Sequence, residues 1–282
     1  MEWQNKQGVE MRPIANKAND TVIMIEVTNV CNRACCNCVR FCGHYRKDKI
    51  FYVDPEDVRK YLKALRDFPH FVGFIGGEPT LHPQFVELCH IMRDYRPKAK
   101  TGIWTNTLTP QFRAYRGLIE DTFYVLNYND HTTNITHTPV LTVSGEVVAD
   151  ATERDEINSH CWLQETWSAT ITPKGAYFCE VAAMLAWLLD GPDGWDATDA
   201  GWWKKDIPEY REQMEWACKR CGAALPLVPR SSREQTDDVS PGMLKELIRV
   251  GSPKVLAGKY EIYNKGFKPG QNRKRDWYWN HE

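Results

Sequence analysis

Residues 21–128 alternate between short apolar stretches and amphipathic stretches, and this alternation restricts the fold more than any other feature of the chain. β-Branched and aromatic residues fill 21–28, 71–75, 101–105 and 122–126, whereas helical patterns with one apolar face lie between them. Strands separated by helices pair in parallel, because each helix returns the chain to the starting edge of the sheet. The sequence therefore predicts an α/β fold built on a parallel sheet.

Polar and sulfur-containing residues follow each of the four predicted strands. Cysteines follow the first strand, and the other three are followed by Gly76-Gly77-Glu78-Pro79, by Thr105-Asn106, and by Asn127 with Asn129. Parallel α/β folds place their chemistry at the carboxyl ends of the strands. Adjacent glycines let the backbone approach a ligand closely, and a glutamate can bind an ammonium group. We therefore expect the site at this edge, although turn chemistry alone accounts for each residue taken singly.

Three cysteines, Cys31, Cys35 and Cys38, lie within eight residues directly after the first predicted strand. Thiolates are the ligands of iron–sulfur clusters, and a cubane normally takes four of them. A group of three therefore predicts one iron left open to a small molecule. Two other interpretations remain: an apolar stripe at i, i+4 and i+7 of a helix, or part of a zinc site. Cys36 and Cys42 also lie nearby, so the spacing alone leaves open which three are ligands.

The C-x3-C-x2-C spacing, followed by Gly-Gly-Glu-Pro one strand later, resembles the signature of the radical S-adenosylmethionine (SAM) superfamily. The resemblance implies a partial (β/α)6 barrel in which Cys31, Cys35 and Cys38 bind a 4Fe–4S cluster whose open iron binds SAM. It implies that SAM is contacted by Gly76, Gly77, Glu78, Pro79, Thr105, Asn106, Asn127 and Asn129. One position departs from the family pattern, because Asn37 replaces the aromatic residue that usually packs on the adenine.

Four further cysteines, Cys161, Cys179, Cys218 and Cys221, make a complete thiolate shell for zinc or for a cluster. A strand, a Pro173-Lys174-Gly175 turn and a second strand are predicted between the first two. The Cys-x2-Cys pair followed by glycine is typical of zinc knuckles. The whole arrangement resembles the SPASM/twitch extension of radical SAM enzymes in its single-cluster form, which implies a fully ligated auxiliary 4Fe–4S cluster. Cys89 lies in a helical pattern and is predicted to be core.

Composition and charge restrict where the protein acts. The net charge of −1 gives no global field that would recruit nucleic acid. No apolar run is long enough to span a membrane, and residues 1–13 lack the apolar core of a signal peptide. We therefore expect a cytoplasmic protein without a membrane partner, whose ten cysteines are ligands or free thiols. The predicted domains are the barrel at 1–155, the small α+β auxiliary cluster domain at 156–225, and a C-terminal helix with a basic and aromatic tail at 226–282.

Several stretches give weaker predictions. Residues 139–148 predict a fifth strand or a hairpin, and residues 231–238 predict a polar linker. Three histidines are candidates for the mouth of the barrel, namely His131, His137 and His160. The tryptophan-rich segment 195–203 is a candidate surface for stacking on a sugar, with core packing as the alternative.

The resemblance implies a radical SAM oxidoreductase. A 5′-deoxyadenosyl radical would take a hydrogen atom from a small polyhydroxylated substrate, such as a sugar or cyclitol, and the auxiliary cluster would relay the electron. An external donor such as flavodoxin or ferredoxin would supply the reducing electron. Two alternatives from the same superfamily are an epimerase and a peptide maturase. A zinc-stabilised RNA-binding protein that uses the basic tail is an alternative from another class.

Overall fold

The computed structural model of the protein describes residues 22–129, 135–159, 161, 163, 169–205 and 207–264. The strands are β1 (Val22–Thr28), β2 (Phe71–Gly76), β3 (Thr101–Thr105), β4 (Val125–Tyr128), β5 (Thr136–His137), β6 (Ala169–Thr172), β7 (Gly175–Tyr177), β8 (Arg230–Ser231), β9 (Asp237–Val239) and β10 (Tyr260–Ile262). The helices are α1 (Pro55–Ala64), α2 (Phe85–Tyr95), α3 (Pro110–Thr122), α4 (Ser144–Val147), α5 (Ala151–Ser159), α6 (Glu180–Leu188), α7 (Ile207–Cys218), α8 (Pro241–Arg249) and α9 (Pro253–Leu256).

A six-stranded sheet with the order β4-β3-β2-β1-β6-β7 carries the site. Its neighbouring strands are parallel except for the antiparallel pair β6 and β7. Consecutive strands β1 to β4 lie side by side, and the β6–β7 hairpin is added on the other side of β1. The mixed α/β class and the partial parallel barrel are confirmed. The hairpin predicted around Gly175 is confirmed as well, and φ is +112° at that glycine.

Alternate residues of β1 face two different cores, because successive side chains of a strand point to opposite faces. Ile23, Ile25 and Val27 belong to the large core that includes the buried faces of α1 and α2. Val22 and Met24 face the concave side of the sheet, where they contact Ile75 and Trp104. Cys89 on α2 is fully buried in the large core, as predicted.

Two element predictions are wrong in detail. Residues 139–143 form no strand and 144–147 are helical, because distant segments satisfy their backbone: Ser144 N–H donates to Lys219 O, and Gly222 N–H donates to Val140 O. The strand predicted at 122–126 begins only at Val125, since α3 continues through Thr122. Asn127 therefore lies within β4 rather than after it.

The segment predicted as a polar linker, 231–238, is instead part of the packed structure. Asp237 and Asp238 in β9 are each 1% exposed. β9 pairs in parallel with β10, and β8 pairs with β5. None of the helices in the described ranges is long and apolar enough to cross a bilayer. His131, His160 and the basic tail beyond 264 lie outside the described residues.

Candidate active site at the carboxyl edge of the sheet

A cavity of about 430 Å³ opens at the carboxyl ends of the strands. It brings together the three cysteines predicted after the first strand with residues that follow the next three: Cys31, Cys35, Cys38, Gly76, Gly77, Thr105, Asn106 and Asn129. Glu78, Pro79 and Asn127 do not line it. Its volume lies within the range of small-molecule sites, which is roughly 300–1,000 Å³.

The cysteine loop, residues 31–42, follows β1 and lines part of the cavity. The thiol of Cys42 lies within hydrogen-bonding reach of Cys31 and Cys38, which raises its own pKa. The hydrogen bond from Cys42 lowers the pKa of Cys38 against the effect of burial. Burial, followed by the nearby Cys38, raises the pKa of Cys35. The four thiols of this group therefore share one electrostatic environment.

Cys36 is separated from these thiols. It does not line the cavity, and its pKa is raised by burial and then by the charges of Asp237 and Asp238. This position argues against Cys36 as one of the three cluster ligands, a choice that the sequence spacing left open. Cys42 remains beside the trio.

Gly76 and Gly77 are required by the close approach of two backbones. A Cβ at Gly76 would lie 2.2 Å from Thr28 O, and one at Gly77 would lie 2.3 Å from Val30 O. Gly77 N–H donates to Thr28 O and Glu78 N–H donates to Val30 O, both at 2.8 Å. These contacts extend the β1–β2 pairing beyond the strands, so any side chain at either glycine would push the cysteine loop away from β2.

Glu78 is fully buried and connects β2 to β3. Its Oε1 accepts from the hydroxyls of Thr80 at 2.6 Å and Thr105 at 2.7 Å, and its Oε2 accepts from Asn106 N–H at 2.7 Å. The Asn106 amide in turn donates to Cys31 Sγ at 3.6 Å and to Asn32 Oδ1 at 2.8 Å. Glu78 therefore orients Thr105 and Asn106, which do line the cavity.

Asn37, which stands where the resembled family has an aromatic residue, fastens the cysteine loop to the C-terminal part of the chain. It is buried and has a left-handed backbone conformation, with φ of +48°. Its backbone N–H donates to Asp237 Oδ1 at 2.5 Å, its Nδ2 donates to Asp238 Oδ2 at 3.0 Å, and Asp238 N–H donates to its Oδ1 at 2.9 Å. Asn37 does not line the cavity.

Buried side chains hold Asp237, one of the two aspartates that bind Asn37. Asp237 Oδ2 lies 2.7 Å from both His44 Nε2 and Lys254 Nζ. Burial opposes ionisation of Asp237, but the hydrogen bond from His44 and the charge of Lys254 lower its pKa. Lys254 Nζ also donates to Cys35 O at 3.0 Å. A segment some 200 residues downstream therefore holds the cysteine loop in place.

Sequence reasoning missed Trp104, Arg33 and Arg40, which also line the cavity. Trp104 lies against Gly73 and Gly102, and a Cβ at Gly73 would approach its ring to 2.3 Å. The two glycines are the sequence signal that could have indicated space for this ring. His137 lines the cavity, as predicted for the mouth, and its Nδ1 lies 2.7 Å from Cys36 O. The candidate stacking residues Trp202 and Trp203 are 1% and 5% exposed, so core packing accounts for them.

The second cysteine set is brought together only in part. Burial, and then the neighbouring Cys161, raises the pKa of Cys179 to about 12. Cys218 ends α7, and Cys221 Sγ accepts a hydrogen bond from Ala223 N–H at 3.3 Å. In the described part of the chain, no three His, Cys, Asp or Glu side chains meet as ligands of a single ion.

The residues around the cavity fit an iron–sulfur cluster and a polar ligand. The cysteines at 31, 35, 38 and 42 line it, together with Asn106, Asn129 and Thr105, which carry amide and hydroxyl groups. Thiolate donors suit iron–sulfur clusters rather than hard cations. The fold and this site together define a partial α/β barrel with a thiol-lined cavity at its carboxyl edge.

Residues 25–128 match the model of the radical SAM superfamily. This range includes most of β1, the cysteine loop and the strand ends that bear Gly76, Gly77, Thr105 and Asn106. Residues 25–128 therefore carry a radical SAM domain. A domain of this family implies SAM and a 4Fe–4S cluster as cofactors. No curated protein sequence matches the chain significantly.

Three solved structures to which the chain shows similarity are two of BtrN and one of SuiB. BtrN in complex with AdoMet and 2-DOIA is 18% identical, with a TM-score of 0.44 over 71% of this chain and 92% of that chain. Selenomethionine BtrN in an open conformation is 15% identical, with a TM-score of 0.42 over 73% and 89%. Streptococcus suis SuiB bound to S-adenosylmethionine is 19% identical, with a TM-score of 0.31 over 41% and 24%.

Proposed function

We propose that the protein is a radical SAM oxidoreductase that takes a hydrogen atom from a small polyhydroxylated substrate. The observation that supports this most directly is one cavity lined by four cysteines, Cys31, Cys35, Cys38 and Cys42, together with two glycines, Thr105, Asn106 and Asn129. When bound, the cluster and SAM supply a 5′-deoxyadenosyl radical that abstracts a carbon-bound hydrogen. The chain's own residues bind, orient and shield these groups.

The cysteines at 31, 35 and 38 are the proposed cluster ligands, and the Cys42 thiol lies within hydrogen-bonding reach of Cys31 and Cys38. Gly76 and Gly77 offer backbone groups to the amino end of SAM, while Asn106 and Asn129 offer amides to its polar edges. Glu78 acts through Thr105 and Asn106, because its four accepted hydrogen bonds already engage both of its oxygens. Pro79 starts the 3-10 turn that closes this edge, and Asn127 lies further down on β4.

A small substrate is favoured by the size and lining of the cavity. A volume of about 430 Å³ leaves little room beside a ligand as large as SAM. Trp104 presents an aromatic face, which suits the apolar face of a sugar or cyclitol, and His137 and Thr138 supply polar groups for hydroxyls.

An auxiliary 4Fe–4S cluster on Cys161, Cys179, Cys218 and Cys221 completes the proposal as an electron acceptor from the substrate. The proximity of Cys161 to Cys179 supports it, and so does the N–H donor to Cys221, since hydrogen bonds to sulfur stabilise thiolate ligands. An external reductant such as flavodoxin or ferredoxin supplies the first electron.

The test is anaerobic reconstitution followed by iron analysis and a SAM cleavage assay with a panel of sugars and cyclitols. Two clusters predict about eight irons per chain, and a substrate should accelerate formation of 5′-deoxyadenosine and carry its hydrogen into that product. The Cys38→Ser variant should lose SAM cleavage, whereas Cys89→Ala, which alters a core cysteine away from the cavity, should keep it. An iron-free wild type, or equal cleavage by wild type and Cys38→Ser, would refute the proposal.

A further inference from the structure

A buried arginine connects the two cysteine sites. Arg40 follows Cys38 by two residues, and Glu180 directly follows Cys179. Arg40 Nη2 donates to Glu180 Oε2 at 2.5 Å. The connection therefore runs from the cysteine loop, through one ion pair, to the first residue of α6.

A second carboxylate shares the same arginine. Arg40 Nη1 lies 2.7 Å from Glu26 Oε1, on the concave side of β1. Arg40 is 5% exposed, and both glutamates are fully buried. Burial raises the pKa of Glu26 to about 7; Arg40 opposes this shift, and the charge of Glu180 adds to it. Above that pKa, one guanidinium between two ionised carboxylates leaves the group with a net negative charge.

Burying these three charged side chains together costs folding free energy. Desolvating an ion pair costs several kcal/mol per ion, and apolar residues of similar volume are often as stable. Arg40 also lines the cavity, and its charge interacts with that of Cys38. The Nε atom of Arg40 is buried and has no hydrogen-bond partner within the described ranges.

We propose that the Arg40–Glu180 pair is a positioning link that holds the cysteine loop against α6 and sets the charge beside both cysteine sites. This inference rests on the proposed function, because it requires clusters at both sites. Reduction potentials of iron–sulfur clusters depend on nearby charge and hydrogen bonds. Removing a buried cation should make reduction harder, and removing a buried anion should make it easier.

The experiment is an anaerobic redox titration, read by electron paramagnetic resonance, of reconstituted wild type and the variants Arg40→Met and Glu180→Gln at pH 8.5. We expect Arg40→Met to shift the cluster potentials to more negative values and Glu180→Gln to shift them to more positive values. Arg40→Lys keeps the charge without the fork geometry, so its shift should be smaller than that of Arg40→Met.

Arg96→Met is the matched control. Arg96 is also buried, but it donates to the carbonyls of Leu65, Arg66, Phe68 and His70 and lies outside the cavity. Its loss should lower stability without moving a potential. Iron content is measured first: an iron-free wild type refutes the proposed function, whereas a wild type with only about four irons lacks the auxiliary cluster and overturns this inference alone. Fully loaded Arg40→Met and Glu180→Gln variants whose potentials are unchanged, or shift in the same direction, overturn the inference while the function stands.

Discussion

Replacing Glu78 with glutamine tests whether the cavity wall depends on one buried carboxylate. The substitution keeps the shape of the side chain but removes its charge and turns one acceptor oxygen into a donor. In the wild type, that carboxylate accepts hydrogen bonds from Thr80, Thr105 and Asn106. In Glu78→Gln, at least one of these donors loses its acceptor, and the others donate to a neutral oxygen.

The size of the effect follows from these bonds. Hydrogen bonds to charged groups contribute about 1.5–3 kcal/mol and neutral ones about 1 kcal/mol, while an orphaned buried donor costs about 1–3 kcal/mol. We therefore expect the free energy of unfolding to fall by about 2–4 kcal/mol. Displacement of Asn106 should remove one ligand hydrogen bond of about 1.4 kcal/mol, which weakens SAM binding about tenfold.

The assays are urea unfolding followed by tryptophan fluorescence, and calorimetric titration with SAM. Glu120→Gln is the matched control, because Glu120 forms an exposed i, i+4 pair with Arg116 at 2.8 Å. Such pairs contribute roughly 0.3–0.5 kcal/mol. If Glu78→Gln unfolds within 0.5 kcal/mol of Glu120→Gln and binds SAM normally, the buried carboxylate does not organise the wall and the reasoning is refuted.

Three further predictions concern other parts of the site. Cys36→Ser should retain about eight irons, while Cys38→Ser should lose about four, as measured by iron analysis; equal losses would contradict the separation of Cys36 from the ligand trio. Asp237→Asn should lower the free energy of unfolding by about 3–5 kcal/mol, because His44 and Lys254 lose a buried partner; an effect as small as that of a surface variant would argue against this. Trp104→Ala should weaken substrate binding more than SAM binding in calorimetric titrations, and the reverse order would remove Trp104 from the substrate wall.

Local patterns were sufficient for the scaffold and for much of the site. Strand and helix periodicity predicted the four parallel strands and the three helices between them, since those patterns reflect which face of each element is buried. The cysteine spacing and the residues after each strand predicted the cavity wall, because parallel strands bring their carboxyl ends to one edge. The sequence shows that Asn37 replaces the usual aromatic residue, but it does not show that Asn37 binds Asp237 and Asp238.

The contacts that decide the roles of individual residues join distant parts of the chain. Asn37 meets Asp237 and Asp238 across about 200 residues, and Arg40 meets Glu180 across 140. Sequence patterns carry the polarity of such residues but not the identity of their partners. The polar composition of 231–238 therefore predicts a linker, although Asp237 and Asp238 hold the cysteine loop.

The sequence by itself determined the α/β scaffold, the thiol-rich loop and the edge at which they meet, because these follow from local periodicity and side-chain chemistry. Only the tertiary structure decided which cysteine faces away, why the two glycines are needed, and that Glu78 orients neighbours. It also decided which tryptophan reaches the cavity: Trp104 lies against Gly73 of the neighbouring strand and Gly102 of its own strand, while Trp202 and Trp203 are core. These outcomes depend on close packing between side chains that are far apart in the sequence, and no single stretch of residues specifies such packing.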